Sequence, residues 1–240
     1  MTGRQTGTCY RTVRAAMRLI ARTCCPLTVS GLDNIPACGR VLLAGNHLAV
    51  CDSYFLIAAV PRTVALLGKE EYFNRPGLRG RLIAQYHHRL GLLPVDRYGG
   101  PAAARAGLET GRTVLDRGGL LALYPEGTRS PDGNLYRGRP GAAALALTSQ
   151  TPIVPFGING TDRVQLLGTN RLRPHPVQIR FGPPITPPDE GHQTRPDGFP
   201  TTAALREVTY HLMRSIADLS GQKFVDLPAP RKNPPTPHTG

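Results

Sequence analysis

Short apolar runs alternate with amphipathic stretches along the chain, and this alternation constrains the fold more than any other feature. The runs "RVLLAG", "TVALLGK", "GLLPVDR", "LLALY", "PIVPFGI" and "VQIRFGPP" predict strands. Helices are predicted for "SYFLIAAV" and for the stretches 79–89, 102–116, 141–150 and 201–220. Strands that alternate with helices favour a mostly parallel sheet flanked by helices. We therefore expect an α/β fold with its functional loops beyond the carboxyl ends of the strands.

Length and composition fit one such domain. The chain has 240 residues, 40% of them hydrophobic, which is enough for a single sizeable core. We predict a basic amphipathic helix at 1–29, a globular domain at 30–226 and a disordered Pro-rich tail at 227–240. The longest apolar runs are far shorter than the ~20 residues that a bilayer-spanning helix needs, so we expect neither a transmembrane helix nor a signal peptide.

The net charge of +13 comes almost entirely from arginine, since only three of the 29 basic residues are lysines. This excess predicts an anionic partner, such as phosphate or lipid headgroups. Nucleic acid is not expected, because the sequence has no familiar nucleic-acid motif and no tryptophan. The five cysteines have neither a disulfide pattern nor zinc spacing, so we expect a reducing, cytoplasmic setting and no metal or redox cofactor.

The stretch "YRTVRAAMRLIARTC" at 10–24 predicts a basic amphipathic helix. Apolar residues recur at three- and four-residue steps, and four arginines recur in the same way on another face. One interpretation is a terminal helix packed on the core with its arginines in solvent. The other is an interfacial helix on an anionic membrane. The second interpretation places the chain on the inner face of a cell membrane, and we expect that cell to be bacterial.

The segment "GNHLAVCD" places His47 and Asp52 in the turn between a predicted strand and a predicted helix. A tight turn can bring the two side chains together, so that the carboxylate orients the imidazole and the other ring nitrogen can take a proton. The alternative is structural: Asp52 is the N-cap of the helix and His47 an ordinary loop histidine. Cys51 suggests a third chemistry, a thiol nucleophile paired with His47 in a thioesterase.

The segment "LYPEGTRSPDG" also follows a predicted strand. Its glycine, Gly127, allows a close approach to a ligand, Thr128 offers a hydroxyl and Arg129 offers a fork for phosphate or carboxylate. We expect Glu126 to pair with an arginine or to bind a ligand hydroxyl. The alternative is a glycine turn with a surface Glu–Arg pair. Arg97, at the end of "GLLPVDR", is either a second phosphate ligand or a solvated arginine.

Together, these segments resemble the 1-acylglycerol-3-phosphate (lysophosphatidic acid) acyltransferase family, whose members share the HxxxxD motif. Its four blocks occur in order as "NHLAVCD", "GLLPVDR", "YPEGTRS" and "PIVPFGI", and the resemblance covers about 30–183. It departs from many members at Ala49, often serine, and at Leu93, often isoleucine. Both departures leave the identity of the acceptor open.

The resemblance implies roles for the matching residues. His47 would be the general base and Asp52 its partner, while Asn46 and Arg97 would join the run from Glu126 to Arg129 in binding the acceptor. The fourth block would help shape the acyl site. The implied reaction transfers an acyl chain from acyl-CoA or acyl-carrier protein to the sn-2 hydroxyl of 1-acylglycerol-3-phosphate, forming phosphatidic acid without a cofactor. The alternatives are another lysolipid or hydroxylated acceptor, and a non-catalytic protein that binds anionic lipid or nucleic acid.

Overall fold

The computed structural model describes residues 7–96, 99–167, 169, 171–187 and 194–230. The helices are α1 (Gly7–Thr23), α2 (Asp52–Ala59), α3 (Gly77–Arg89), α4 (Gly100–Asp116), α5 (Gly141–Ser149), α6 (Thr161–Val164) and α7 (Thr202–Ser220). The strands are β1 (Leu27–Ser30), β2 (Val41–Gly45), β3 (Val64–Lys69), β4 (Leu92–Val95), β5 (Leu120–Leu123), β6 (Leu135–Tyr136), β7 (Ile153–Asn159), β8 (Val177–Phe181) and β9 (Phe224–Val225).

Seven strands form the central sheet in the order β1-β8-β7-β2-β5-β3-β4. Among these pairs only β7 and β8 run antiparallel, so the predicted mostly parallel α/β fold is confirmed. Strand β2 lies at the centre between β5 and β7, and all five of its residues are buried. The carboxyl ends of β2, β5, β3 and β7 therefore meet at one edge, which we call the site edge.

The core has a layer on each face of this sheet. One layer packs α2 and part of α1 against the sheet, and the other packs α5, α7 and part of α4 against it. Helix α2 is apolar on nearly every side, and six of its eight residues are buried. Such a helix is stable only inside a core, so the residues just before it are held firmly.

Three short strands were not predicted. Strand β1 has four residues with alternating burial, and it pairs with β8 at the end of the sheet. The boundary predicted between 1–29 and 30–226 falls inside this strand. Strands β6 and β9 have two residues each and pair only with one another. Leu227, the first residue of the predicted tail, accepts a hydrogen bond from the Arg137 backbone, and residues 231–240 lie outside the described part of the chain.

Helix α1 packs on α2. The Tyr10 hydroxyl accepts a hydrogen bond from the Val64 backbone N–H at 2.9 Å. The Arg14 and Arg18 guanidinium groups donate to carbonyl oxygens at the end of α2, on Pro61 at 3.0 Å and on Ala58 at 3.1 Å. The helix is therefore packed on the core, as the first interpretation predicts. That interpretation also placed the arginines in solvent, whereas Arg14 and Arg18 donate hydrogen bonds to the protein. None of the described helices is both long enough and apolar enough to span a bilayer.

Candidate active site

The first component of the site is the turn between β2 and α2, residues 46–51, which we call the catalytic loop. It begins where Gly45 lies against the ring of Phe156. A Cβ on Gly45 would come within 2.3 Å of that ring, and Phe156 is fully buried in β7. Glycine is required here for packing. The fourth block, "PIVPFGI", thus lies in β7 inside the sheet, where Phe156 packs against the start of the catalytic loop.

Asn46 is fully buried and bonds to the neighbouring strand. Its side-chain oxygen accepts from the Ile158 backbone N–H at 2.7 Å, and its side-chain nitrogen donates to the Ile158 carbonyl at 2.8 Å. The amide therefore extends the β2–β7 pairing by one residue. This corrects the prediction that Asn46 binds substrate: a buried amide occupied in this way fixes the start of the loop.

The structure brings His47 and Asp52 into direct contact, with 2.7 Å between His47 Nδ1 and Asp52 Oδ2. The same oxygen accepts the backbone N–H groups of Leu48 at 2.7 Å and Ala49 at 3.0 Å. An oxygen that already accepts two N–H groups favours a third donor, so we assign the ring proton to Nδ1. Nε2 is then the nitrogen that can take a proton from a substrate.

Asp52 does not have the N-cap role of the structural alternative. It is the first residue of α2, and Cys51 occupies the cap position without a side-chain cap. The carboxylate turns back onto the loop instead of onto the N–H groups of the helix. Asp52 is completely buried, so a fixed carboxylate holds both the loop backbone and the imidazole ring. The expected proximity of the pair is found, whereas its catalytic use stays a prediction.

Tyr124 is a contributor that the sequence analysis missed. Its ring stacks on the His47 ring, with centroids 4.0 Å apart and planes 8° from parallel. Its hydroxyl lies 3.0 Å from the Ser53 hydroxyl in α2. The imidazole is thus held at its edge by Asp52 and on one face by Tyr124. The only signal in the sequence is the position of the tyrosine immediately before "PEGT".

Glu126 is buried, with 3% of its surface exposed. One oxygen accepts the Tyr136 backbone N–H at 2.9 Å, and the other has no hydrogen-bond partner among the described residues. Burial raises the pKa of Glu126 to about 7, although the Tyr136 and His47 backbone N–H groups lower it. No described arginine forms an ion pair with it. The alternative of a surface Glu–Arg pair is therefore wrong, because the carboxyl is buried, and the binding of a ligand hydroxyl by Glu126 stays a prediction.

The run Gly127–Arg129 lies at the site edge in a half-buried position. Gly127 has a φ of 69°, and the Arg139 guanidinium lies across it, 2.9 Å from where a Cβ would stand. The next residue, Ser130, donates its backbone N–H to the His47 carbonyl at 2.7 Å. The sequence did not reveal this bond, which joins the predicted acceptor-binding run directly to the catalytic loop. Arg97, the other predicted phosphate ligand, lies outside the described residues.

Cys51 is not suited to be a nucleophile. Its thiol is buried and donates to the Thr161 carbonyl at 3.7 Å. Burial, followed by the nearby Asp52 charge, raises the pKa of the Cys51 thiol to about 12. The reactive form of cysteine is the thiolate, which is scarce under these conditions. The thioesterase interpretation loses its nucleophile, and Cys51 serves as a packed part of the loop.

Two further features concern the space around the loop. A depression of about 380 Å³ lies beside Leu48, but neither His47 nor Asp52 lines it. We therefore do not assign it to the acceptor. Within the described ranges, no three His, Cys, Asp or Glu side chains are grouped closely enough to hold a metal ion.

Comparisons with known proteins agree with this architecture. Residues 26–159 match the family model described as acyltransferase. The chain is 32% identical to a 1-acyl-sn-glycerol-3-phosphate acyltransferase of Limnanthes alba over 164 residues, which is 68% of this chain and 56% of the relative. It is 28% identical to the protein of that name in Borreliella burgdorferi, over 57% of this chain and 52% of the relative. The chain thus spans about half the length of these curated relatives.

A solved structure supports the fold. The crystal structure of the 1-acyl-sn-glycerophosphate (LPA) acyltransferase PlsC from Thermotoga maritima superimposes with a TM-score of 0.61 at 23% identity. The similarity covers 88% of this chain and 80% of PlsC. The family match covers more than half of the chain and includes the catalytic loop and the Glu126–Arg129 run. The chain therefore belongs to the acyltransferase family, as its resemblance to the 1-acylglycerol-3-phosphate acyltransferases predicts.

Proposed function

We propose that this protein transfers an acyl group from a thioester, acyl-CoA or acyl-carrier protein, to the sn-2 hydroxyl of 1-acylglycerol-3-phosphate. The observation that carries the proposal is the 2.7 Å contact between His47 Nδ1 and the buried Asp52 carboxylate. A buried aspartate that already accepts two backbone N–H groups keeps the imidazole in one orientation and one tautomer. The names of the relatives support the substrate class, and the His47–Asp52 contact supports His47 as the base.

In this mechanism, His47 Nε2 accepts the proton of the acceptor hydroxyl while the oxygen attacks the thioester carbonyl. A carbon–oxygen bond forms, and the tetrahedral oxyanion collapses with cleavage of the carbon–sulfur bond. The leaving thiolate takes the proton back from the imidazolium. Asp52 and Tyr124 hold the ring during both transfers. Base catalysis of this kind contributes ~10²–10⁴-fold in rate.

The acceptor phosphate is assigned to Arg129, together with Arg97. Arg129 is half-buried at the site edge and forms no ion pair with the described residues. Its planar fork fits a phosphate through two parallel hydrogen bonds. Gly127 and Thr128 line the approach to this phosphate. Fixing the phosphate would orient the sn-2 hydroxyl toward His47, and such orientation lowers the barrier in addition to proton transfer.

The deciding experiment is one acceptor panel measured with purified protein. Lysophosphatidate, glycerol-3-phosphate, lysophosphatidylcholine and a monoacylglycerol are each offered with acyl-CoA and with acyl-carrier protein. We expect turnover with lysophosphatidate and weak turnover with the acceptors that lack a terminal phosphate. Turnover confined to another lysolipid would replace this acceptor assignment. No transfer to any acceptor, with binding to anionic lipid or DNA retained, would favour the non-catalytic alternative.

A pair of variants tests the phosphate assignment. Arg129→Ala should raise the KM for lysophosphatidate about tenfold or more, because a charged hydrogen bond is lost. Arg206→Ala removes an exposed arginine from α7 and should leave KM unchanged. Equal effects of the two substitutions would show that only the overall positive charge matters.

The acceptor also defines the setting of the reaction. Lysophosphatidate is a membrane lipid, and the chain carries a net charge of +13. We therefore propose that the protein works peripherally at an anionic membrane surface, on the inner face of the cell membrane. Cationic side chains near such a surface are attracted by ~1 kcal/mol each.

A further inference from the structure

Four exposed aliphatic side chains lie in the catalytic loop or in the segment that is bonded to it. They are Val50, Leu166, Leu167 and Leu172, with exposures of 39%, 40%, 39% and 65%, and we call them the apolar rim. Val50 belongs to the catalytic loop itself. The three leucines lie in the segment that follows β7 and α6. Single exposed leucines are ordinary, but several exposed aliphatic side chains in connected segments are typical of an interaction surface.

Backbone and side-chain bonds hold the rim together. The Cys51 backbone N–H donates to the Gln165 side chain at 3.1 Å, so the residues next to Val50 and Leu166 are joined. Gln165 forms an antiparallel bridge with Leu172, and the Arg173 backbone donates to the Val164 carbonyl at 2.8 Å. The rim segment is thus bonded directly to the loop that carries His47.

The rim rests on buried residues. Val164 and Cys51 are buried in the same core layer as α2, and they lie within two residues of Leu166 and Val50 in the sequence. The exposed rim residues therefore belong to segments that are anchored in the core.

The charges next to the rim have mostly one sign. Arg163, Arg171 and Arg173 are exposed in the same segment, and Asp162 is its one exposed carboxylate among the described residues. Aliphatic side chains flanked by arginines are the composition of a surface that inserts shallowly between anionic lipid headgroups. Arg14 and Arg18 of α1, by contrast, already bond to carbonyls of the protein. The two arginines of α1 are thus partly committed to contacts within the protein, whereas those of the rim segment are exposed.

We propose that the apolar rim inserts into an anionic lipid surface and so holds His47 at the level where a lysolipid presents its free hydroxyl. The contact of Cys51 with Gln165 would then align the catalytic loop with the membrane. The second half of this inference rests on the proposed function, because it assumes that the acceptor is a membrane lipid. The insertion itself can be measured without any turnover.

The chain contains no tryptophan, so one introduced tryptophan reports on a single position. Leu172→Trp places the reporter in the rim, and Tyr210→Trp places it at a half-exposed position on α7, in the opposite layer. With phosphatidylglycerol vesicles we expect a blue shift of the tryptophan emission and quenching by brominated lipid in the Leu172→Trp protein, and neither in the control. An unchanged spectrum in the Leu172→Trp protein, or equal changes in both, would overturn the proposal. A shift caused by acyl-carrier protein but not by vesicles would assign the rim to a protein partner instead.

A second measurement separates insertion from catalysis. The double substitution Leu166→Ser and Leu167→Ser should reduce vesicle binding and turnover of vesicle-bound lysophosphatidate by about tenfold or more. Turnover of a short-chain, monomeric lysophosphatidate should stay unchanged. Leu227→Ser, at an exposed leucine near β9, is the matched control. An equal loss of turnover with the vesicle-bound and the monomeric substrate would overturn the proposal that the rim contacts lipid. If the tryptophan reporter in the rim inserts into vesicles but no acceptor is acylated, the proposed function is refuted, whereas the proposal that the rim inserts into lipid still stands.

Discussion

The catalytic loop and the Gly127–Arg129 run face the same edge of the sheet, but they are held in opposite ways. In the catalytic loop, Asn46 and Asp52 are completely buried and bonded to the backbone or to His47. In the run, the side chains are half-buried, and the Thr128 hydroxyl makes only a long contact of 3.5 Å with the Arg129 carbonyl. The proposed base is thus held in place before a substrate arrives, whereas we expect the groups proposed for the phosphate to become fixed when it binds.

The sharpest way to break this comparison is to remove the base. His47→Ala should lower kcat by ~10²–10⁴-fold, because no other described side chain takes the place of its Nε2. The fold should persist, since Asp52 still accepts the Leu48 and Ala49 backbone N–H groups. Initial rates and a thermal melt on the same sample test both parts. Turnover at the wild-type level in a folded variant would refute the role of His47.

A smaller loss is expected when the base keeps its place but loses its orienting charge. Asp52→Asn can still accept the backbone N–H groups, yet its amide lets the imidazole adopt the wrong tautomer. We expect kcat to fall by about 10²-fold, the lower end of the range for general base catalysis, with little change in KM. Asp116→Asn, which alters an exposed carboxylate paired with Arg112, serves as the control and should be neutral. A rise in KM alone would instead place Asp52 in acceptor binding.

The buried carboxyl of Glu126 leads to a prediction about the free energy of unfolding, and not about the reaction rate. The pKa of Glu126 is raised from 4.5 to about 7, so the unfolded chain ionises first as pH increases. The free energy of unfolding should therefore fall between about pH 4.5 and pH 7 and level off above, by at most about 3 kcal/mol. Glu126→Gln removes this ionisation. Urea denaturation of both proteins across this range should show the fall only in the wild type, and parallel curves would disprove it.

The smallest effect is expected at Cys51. A hydroxyl can replace the thiol as donor to the Thr161 carbonyl, so Cys51→Ser should retain nearly full acyl transfer. Mass spectrometry of the wild type with acyl-CoA should show no acylated cysteine. A trapped acyl-Cys51 together with an inactive serine variant would restore the thioesterase interpretation.

Local features of the sequence predicted more than distant ones. The strand β2, the helix α2 and the meeting of His47 with Asp52 follow from patterns within about ten residues. The contacts of Asn46 with Ile158, and of Ser130 with His47, join residues that are far apart in the chain. They depend on β7 and β5 flanking β2, and apolar runs alone do not determine that strand order.

Burial was also hard to predict for charged residues. Glu126 occurs beside an arginine in a glycine turn, a pattern typical of an exposed pair, but the structure places it beneath the loop. Tyr124 follows an apolar run, a position that predicts only the last residue of a strand. Its stacking on His47 exists because β5 and β2 end side by side at the same edge.

The hydrogen bond from the Ser130 N–H to the His47 carbonyl has a consequence for substrate choice. Arg129 and Ser130 are adjacent, so one peptide unit and one hydrogen bond connect the backbone of Arg129 to that of His47. A phosphate that immobilises Arg129 also restrains the backbone of His47. Acceptors that lack the phosphate should therefore turn over slowly even at saturation, because discrimination is exerted in kcat as well as in KM.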